Sequence, residues 1–308
     1  MTKKLNPYKK KEKQKVKLSL RLSIPILLVV VFQIFTFMIT MVIGGEFRDI
    51  RQYANNTLIE KTENRCNYIR TELQEKPAIV QEYSEQINSL VTGILKENNA
   101  TIAQLQTDKD LNRSIIESSV EIITDLLRRS QTNGAYLILE TGELYYDEGA
   151  GTEKAALYLR DLDPKSGTGF SDLLMEIGYP YLSQRYGMTR HSGWSMYFVP
   201  DPKDTKNFDF YYRTIETAME NRGLSQSDLG YWSGFSRTSS ITTPSIKYTV
   251  PLIAEDGTVY GVLGVGMTES AILSNIPSHD FLMETACYVL GRTTSGDNFD
   301  VMTYSGSA

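Results

Sequence analysis

Cysteine and histidine are almost missing from this chain of 308 residues, which holds two of each. Cys66 and Cys287 lie far apart in dissimilar surroundings, so spacing gives no disulfide framework, zinc site or redox pair, and leaves a single bridge open. His191 and His279 have no Cys, Asp or His companion at metal-ligand spacing. The G-x-S-x-G, P-loop, H-E-x-x-H and C-x-x-C patterns are all missing. Asp161 and Asp163 are close enough for an acid/base pair, but Asp163 before Pro164 suits turn initiation. The sequence therefore implies no catalytic residue, no metal, no cofactor and no enzyme. With 22 glycines and 10 prolines, collagen-like and low-complexity classes are excluded too.

Charge is lacking in one place and one-sided in another. Residues 22–45 carry none, whereas residues 1–21 carry nine Lys or Arg against Glu12 alone, a net of +8. The total is −5, so the remaining chain carries −13, which excludes nucleic acid as its partner. Leu22–Ile43 is a run of 22 residues interrupted by Ser23, Pro25, Gln33, Thr36 and Thr40. As a helix rising about 1.5 Å per residue, it is long enough for a bilayer core of about 30 Å. Pro25 falls in the first turn of that stretch, where its missing N–H matters least. The basic flank from Lys3 to Arg21 belongs in the cytoplasm, which places residues 46–308 outside the cell membrane in a single-pass arrangement. A cleaved signal peptide is the alternative, but its apolar core is about 7–15 residues. Gly44-Gly45-Glu46-Phe47 looks like a cyclase signature one residue short, and its position at the membrane boundary makes it a helix exit.

Residues 46–97 have helical spacing of apolar positions, with Pro77 expected to kink or break the helix. A further amphipathic helix uses Leu111, Ile115, Ile116, Val120, Ile123, Leu126 and Leu127. Such a stalk suits either signal transmission or a plain spacer. From Asn133 the pattern changes. Ala135–Glu140 and Glu143–Asp147 are expected to form a hairpin, and 171–186 a short helix interrupted at Gly178 and Pro180. Trp194–Val199, Ser245–Ile253 and Val259–Met267 are expected strands, the last two joined at Asp256-Gly257. Beyond Ile276-Pro277 a short helix and two strands, Cys287–Leu290 and Phe299–Tyr304, repeat the opening hairpin in outline. The class is α+β with a largely antiparallel sheet.

Three stretches carry a family resemblance: Leu159-Arg160-Asp161-Leu162-Asp163-Pro164, Asp228-Leu229-Gly230-Tyr231-Trp232-Ser233, and Tyr248-Thr249-Val250-Pro251-Leu252 followed by Asp256–Val265. With the apolar segment and long helix, they resemble the double Cache (dCache) extracytoplasmic sensor domains of bacterial transmembrane receptors. The resemblance implies a basic cytoplasmic tail (1–21), a transmembrane helix (22–45) and a long helical stalk (46–104). A membrane-distal, PAS-like Cache module (105–275) and the start of an incomplete membrane-proximal one (276–308) follow. It also implies truncation before a second membrane helix and an output domain, a diguanylate cyclase, histidine kinase or chemoreceptor tail. Amino-acid-binding members carry an Asp where this chain has Gly266, which disfavours amino acids as ligands.

Between Trp194 and Phe235 lie ten aromatics in 42 residues. They serve equally as a pocket wall or as core. The candidate ligand-binding residues are Trp194, Tyr211, Tyr231, Trp232, Asp228 and Arg160, with Asp209 and Arg190 as further polar groups. The expected function is small-molecule sensing, passed through the stalk to a missing output domain. The alternative is an anchored interaction or dimerisation module without a small ligand. Expected partners are a small molecule of unknown class, the lipid bilayer and a second copy of the chain, with no nucleic acid.

Overall fold

The computed structural model describes residues 8–44, 46–141, 146–147, 151–164, 169–237, 243–274, 288–293 and 299–305. The chain divides into two compact units, Met1–Cys66 and Asn67–Ala308. In the first, helix α1 (Tyr8–Ile43) contains the apolar stretch Leu22–Ile43, with a mean hydropathy of 2.8 and its large side chains exposed. That is long and apolar enough to cross a bilayer. Lys, Gln, Glu and Leu upstream are good helix formers, so α1 starts well before Pro25, which lies in its interior. Thr36 and Thr40 donate their hydroxyls to the carbonyls of Phe32 and Thr36, both at 2.8 Å, so neither polar group is left bare in hydrocarbon.

Helix α2 (Glu46–Glu97) starts in the first unit and continues into the second. Pro77 does not end it. Proline removes one helical hydrogen bond and costs about 3 kcal/mol, but Val80, Tyr83, Ile87 and Val91 beyond it are buried in the main core. Burying four such side chains, at about 1.5–3 kcal/mol each, outweighs the break. A second expectation also changes. The helix read over 111–127 is two helices, α3 (Lys109–Ser118) and α4 (Val120–Arg129). Asp108 caps α3, accepting from the Asp110 and Leu111 amides at 2.9 Å. The Ser119 hydroxyl donates back to the Ile115 carbonyl at 2.7 Å, at the point where one helix gives way to the next.

The strands are β1 (Gly134–Leu139), β2 (Tyr146–Asp147), β3 (Gly151–Thr152), β4 (Ala156–Asp161), β5 (Leu173–Ile177), β6 (Thr189–Ser195), β7 (Tyr231–Trp232), β8 (Ser245–Ile253), β9 (Val259–Thr268), β10 (Tyr288–Thr293) and β11 (Phe299–Ser305). Helices α5 (Pro180–Tyr186), α6 (Asp209–Glu220) and α7 (Glu269–Ser274) lie among them. The main sheet has seven strands in the order β6-β5-β4-β1-β9-β8-β7. All its pairs are antiparallel except β5 with β6. This is the mixed α+β, PAS-like arrangement expected from the sequence.

Three local expectations fail, the first being the strand read over Trp194–Val199, which runs instead over Thr189–Ser195. β1 pairs with β4 and β9, while Tyr146–Asp147 pairs with Gly151–Thr152, so 135–147 is no hairpin. The intended turn at Gly142 falls outside the described residues, as do Cys287, His279, Ile276-Pro277 and the helix expected after them. The stretch read as one helix over 171–186 is a strand followed by a helix. Leu173, Met175 and Ile177 alternate into the cores, and Pro180 occupies the first position of α5, where it starts a helix.

The central strands are buried on both faces, and alternation sorts their side chains. Ala135, Leu137 and Leu139 of β1, Leu157 and Leu159 of β4, and Leu263 and Val265 of β9 join α2, α3 and α4 in the larger core. Tyr136 and Ile138, Ala156 and Tyr158, and Val262 face the other way, into a smaller core with Phe198, Phe208, Phe210, Tyr211 and Ile215. Glycine permits one unusual feature of that second face. Tyr136 on β1 lies beside Gly264 on β9, which lies beside Thr249 on β8. The Tyr136 phenol crosses Gly264 and meets the Thr249 hydroxyl at 2.5 Å. A Cβ at Gly264 would collide with that phenol and with the Tyr248 carbonyl, whereas Gly93 in α2 has open space around it. Gly264→Ala should therefore destabilise the chain by about 1–3 kcal/mol, and Gly93→Ala should stabilise it by about 0.5–1 kcal/mol. Urea unfolding followed by circular dichroism measures both. Equal effects of the two substitutions would contradict this packing.

Candidate functional site

The face under α6 is unusual for a core because polar and charged groups collect on it. By strand parity Arg160 of β4, and Lys247 and Thr249 of β8, share it with Tyr136 and Tyr158. Its floor is glycine: Gly134 pairs with Arg160 on one side and with Gly266 on the other, and Gly266 pairs with Lys247. A Cβ at Gly134 would collide with the Tyr158 phenol. Gly266 is roomier, since its Cβ would stand 3.4 Å from the Ser245 hydroxyl and 3.5 Å from that of Tyr158. Two phenols thus lie flat across bare backbone. Their rings meet edge to face at 5.6 Å, and Phe210 of α6 closes over Tyr136 at 5.4 Å. Burial pushes both phenols well above the ordinary tyrosine range, so they stay protonated and act as hydrogen-bond donors.

Three charged side chains complete the face. Arg160 and Glu176 are 7% and 2% exposed and form an ion pair at 2.7 Å. Lys247 is fully buried. Its Nζ donates to the carbonyl and hydroxyl oxygens of Ser236, at 2.9 and 2.8 Å, and stands 4.8 Å from the centre of the Phe210 ring. With both basic groups charged, the face has two cations and one anion, in a region that water does not reach. Such an arrangement can orient a polar or anionic solute by fixed donors.

Of the six residues singled out from the sequence, Arg160 belongs to the polar row itself, while Tyr211 and Tyr231 lie on the same side of the sheet beside it. Tyr211 is buried in the adjoining aromatic cluster, 5.3 Å from Phe198, and its hydroxyl donates to Glu140, itself paired with Lys154 at 2.5 Å. The Tyr231 hydroxyl donates to Asp209 at the start of α6, while the Arg213 guanidinium stacks 4.5 Å above its ring. Trp194 and Trp232 sit on β6 and β7, the two opposite edges of the sheet, and do not share a wall. The Trp194 indole N–H donates to the Gly178 carbonyl at 3.0 Å beneath the Arg190 guanidinium, and Trp232 packs on Tyr248 at 5.2 Å. Asp228 is exposed and accepts from the Ser225 hydroxyl at 2.6 Å in its own turn. Two open grooves, of about 360 and 450 Å³, lie against α2 and contain none of the six. Reasoning from the sequence missed Tyr136, Tyr158, Glu176 and Lys247. A lysine at an inward position of the strand Ser245–Ile253 was the available signal.

No family model and no curated protein matches the chain. Among solved structures it is similar to a methyl-accepting chemotaxis protein, with 12% identity and a TM-score of 0.34 over 77% of this chain and 72% of that one. An extracellular domain assigned to a histidine kinase, soHK1S-Z6, gives 16% and 0.31 over 73% and 70%. The ligand-binding domain of the Campylobacter jejuni chemoreceptor Tlp3, solved with L-valine, gives 13% and 0.29 over 71% and 64%. Two of these similar structures are thus the extracellular or ligand-binding domains of their proteins. At such identities they say nothing of this chain's ligand or output.

Removing one partner of a buried ion pair strands the other, at a cost of about 3–5 kcal/mol, whereas replacing both by apolar groups is often neutral. Arg160→Met should therefore destabilise the chain by about that amount, and Arg160→Met with Glu176→Leu should recover most of the loss. Denaturant midpoints of the two variants check this. An equally damaging double variant would mean that the pair is held by more than its own charges.

Proposed function

We propose that the chain is the extracytoplasmic sensing part of a double Cache membrane receptor, and that the face under α6 receives a small polar solute. The observation that carries this reading is the group Tyr136, Tyr158, Arg160, Glu176 and Lys247, gathered from four strands into one buried layer. Buried charge is a poor source of stability compared with an apolar core of the same volume, and it is a frequent property of binding sites. The apolar helix serves as anchor, with the basic N-terminus in the cytoplasm. Occupancy changes the layer, and the change travels along α2 toward a cytoplasmic output domain, in a receptor that works as a homodimer. A solute biases that output only by its difference in affinity between two states. Gly266 supplies no carboxylate for a ligand ammonium, which favours ligands other than amino acids.

A second reading rests on a specific observation. The face is closed over by Phe210 and its groups are already bonded to one another, as befits an anchored interaction module that takes no solute. A thermal-shift screen of the full chain in detergent micelles, against carboxylates, amines, sugars, nucleobases and amino acids, separates the two. A true ligand at 100 times its Kd should add about 2.7 kcal/mol. The shift should be lost in Tyr158→Phe, which removes one hydroxyl and leaves the ring. If no solute stabilises the folded chain, the sensor reading falls. A topology reporter fused after residue 97 tests the anchor, and cytoplasmic signal there would overturn the outward placement.

A further inference from the structure

Lys247 is a fully buried amine, and among the described residues no carboxylate lies within ion-pair distance of it. Its surroundings match an uncharged amine. Among the described residues, Ser236 offers two oxygens, which satisfy the two N–H groups of a neutral lysine; an ammonium has a third N–H, and there the Phe210 ring faces it. Glu176 of β5 is the charged group that acts on the amine, and it is engaged by Arg160 of β4. The phenols on this side, Tyr136 of β1, Tyr158 of β4, Tyr211 of α6 and Tyr231 of β7, are pushed up by burial and stay neutral, and Arg213 of α6 stacks on Tyr231. Asp209 on α6 is bonded to Tyr231 of β7, and Gly264 and Gly266 of β9 bring no charge.

The amine also holds a piece of chain in place. Residues 233–236 follow β7 and lie along β8: the Ser233 amide donates to the Lys247 carbonyl at 2.8 Å, the Lys247 amide donates to the Ser233 hydroxyl at 3.2 Å, and Ser236 and Ser245 exchange backbone bonds at 3.0 Å. The side chain of Lys247 adds its two bonds to Ser236. We propose that Lys247 is a proton-operated latch: neutral, it seats the strap 233–236 against the sheet, and charged, it releases the strap so that the ammonium can be hydrated.

The direction follows from linkage. Burial lowers the amine of the closed form to about 7, whereas a hydrated lysine titrates near about 10.4. The open form therefore binds more protons between those values, and acidification through that window favours opening. The latch stands on this geometry and holds whether or not a solute occupies the face.

Trp232 immediately precedes the strap and reports on it. In full-length Trp194→Phe chain, reconstituted in lipid nanodiscs, Trp232 emission should shift to the red in a one-proton transition between about pH 9 and pH 6. Lys247→Met should abolish the transition and fix the high-pH emission. Lys247→Arg, which cannot lose its proton in this range, should fix the low-pH emission. Glu176→Gln removes the charge that favours the ammonium and should move the midpoint to lower pH. His191→Asn with His279→Asn should leave the transition in place. A transition that survives Lys247→Met, or moves with the histidines, overturns the proposal. So does a flat profile in a chain whose circular dichroism is retained. If Lys247→Met does not fold, the arginine and glutamine variants decide. A latch that titrates in a chain binding no solute would refute the sensor reading and leave this inference standing.

Discussion

Burial of the sheet on both sides is the constraint from which the rest of the structure follows. Every position of β1, β4 and β9 is buried, and all but the last of β8. Strands of this kind need two covers, and the sequence supplies two different ones. The second half of α2 with α3 and α4 brings branched aliphatic side chains to one face. The other is covered by α6 and by Phe198 and Phe208, aromatic and less uniform. That division explains why the larger core is nearly free of charge while the smaller one holds an ion pair and a lone amine.

The polar layer would be untenable if its parts were independent. Each phenol needs a glycine beneath it to reach its partner across a neighbouring strand, and each charge needs a partner or an acceptor. Arg160 and Glu176 solve that problem for each other at 2.7 Å. Lys247 meets, among the described residues, two oxygens of Ser236 and the face of the Phe210 ring, which leaves an ammonium short of one oxygen acceptor. On the latch proposed for Lys247 the layer has a second arrangement, and a ligand, whether a solute or a proton, acts only through its difference in affinity between the two.

Legibility in the sequence depended on whether the signal was local. The apolar run of Leu22–Ile43, the β8–β9 hairpin with Gly257 at a φ of 83°, and the α+β class were all readable from nearby residues. β1 was readable as a strand, but its partners lie some 20 and 125 residues away, so proximity suggested the wrong one. Pro77 and Pro180 were misread for opposite reasons. The first was overridden by tertiary burial, and the second begins a helix instead of interrupting one. The aromatic density between Trp194 and Phe235 was real but mostly built core, as the mutual packing of Phe198, Phe208, Phe210 and Tyr211 shows. Of the buried charges, Arg160 was singled out from the sequence, but Glu176 and Lys247 are unremarkable alone; only register brings Arg160, Gly134, Gly266 and Lys247 into one row.

The two ends of the sheet differ from its middle. β7 is only two residues long, so it presents little free backbone on its outer side. β6 at the other end runs parallel to its neighbour, is offset by an irregularity, and carries Thr189, Arg190, His191 and Ser192 at or near the surface. Short, irregular and hydrophilic margins are poor templates for strand addition from another molecule. A membrane protein confined to two dimensions meets its copies at high local concentration, where a long apolar margin would invite fibrous association. The main sheet thus ends at both sides in strands that offer little to strand addition, whatever the local concentration of copies.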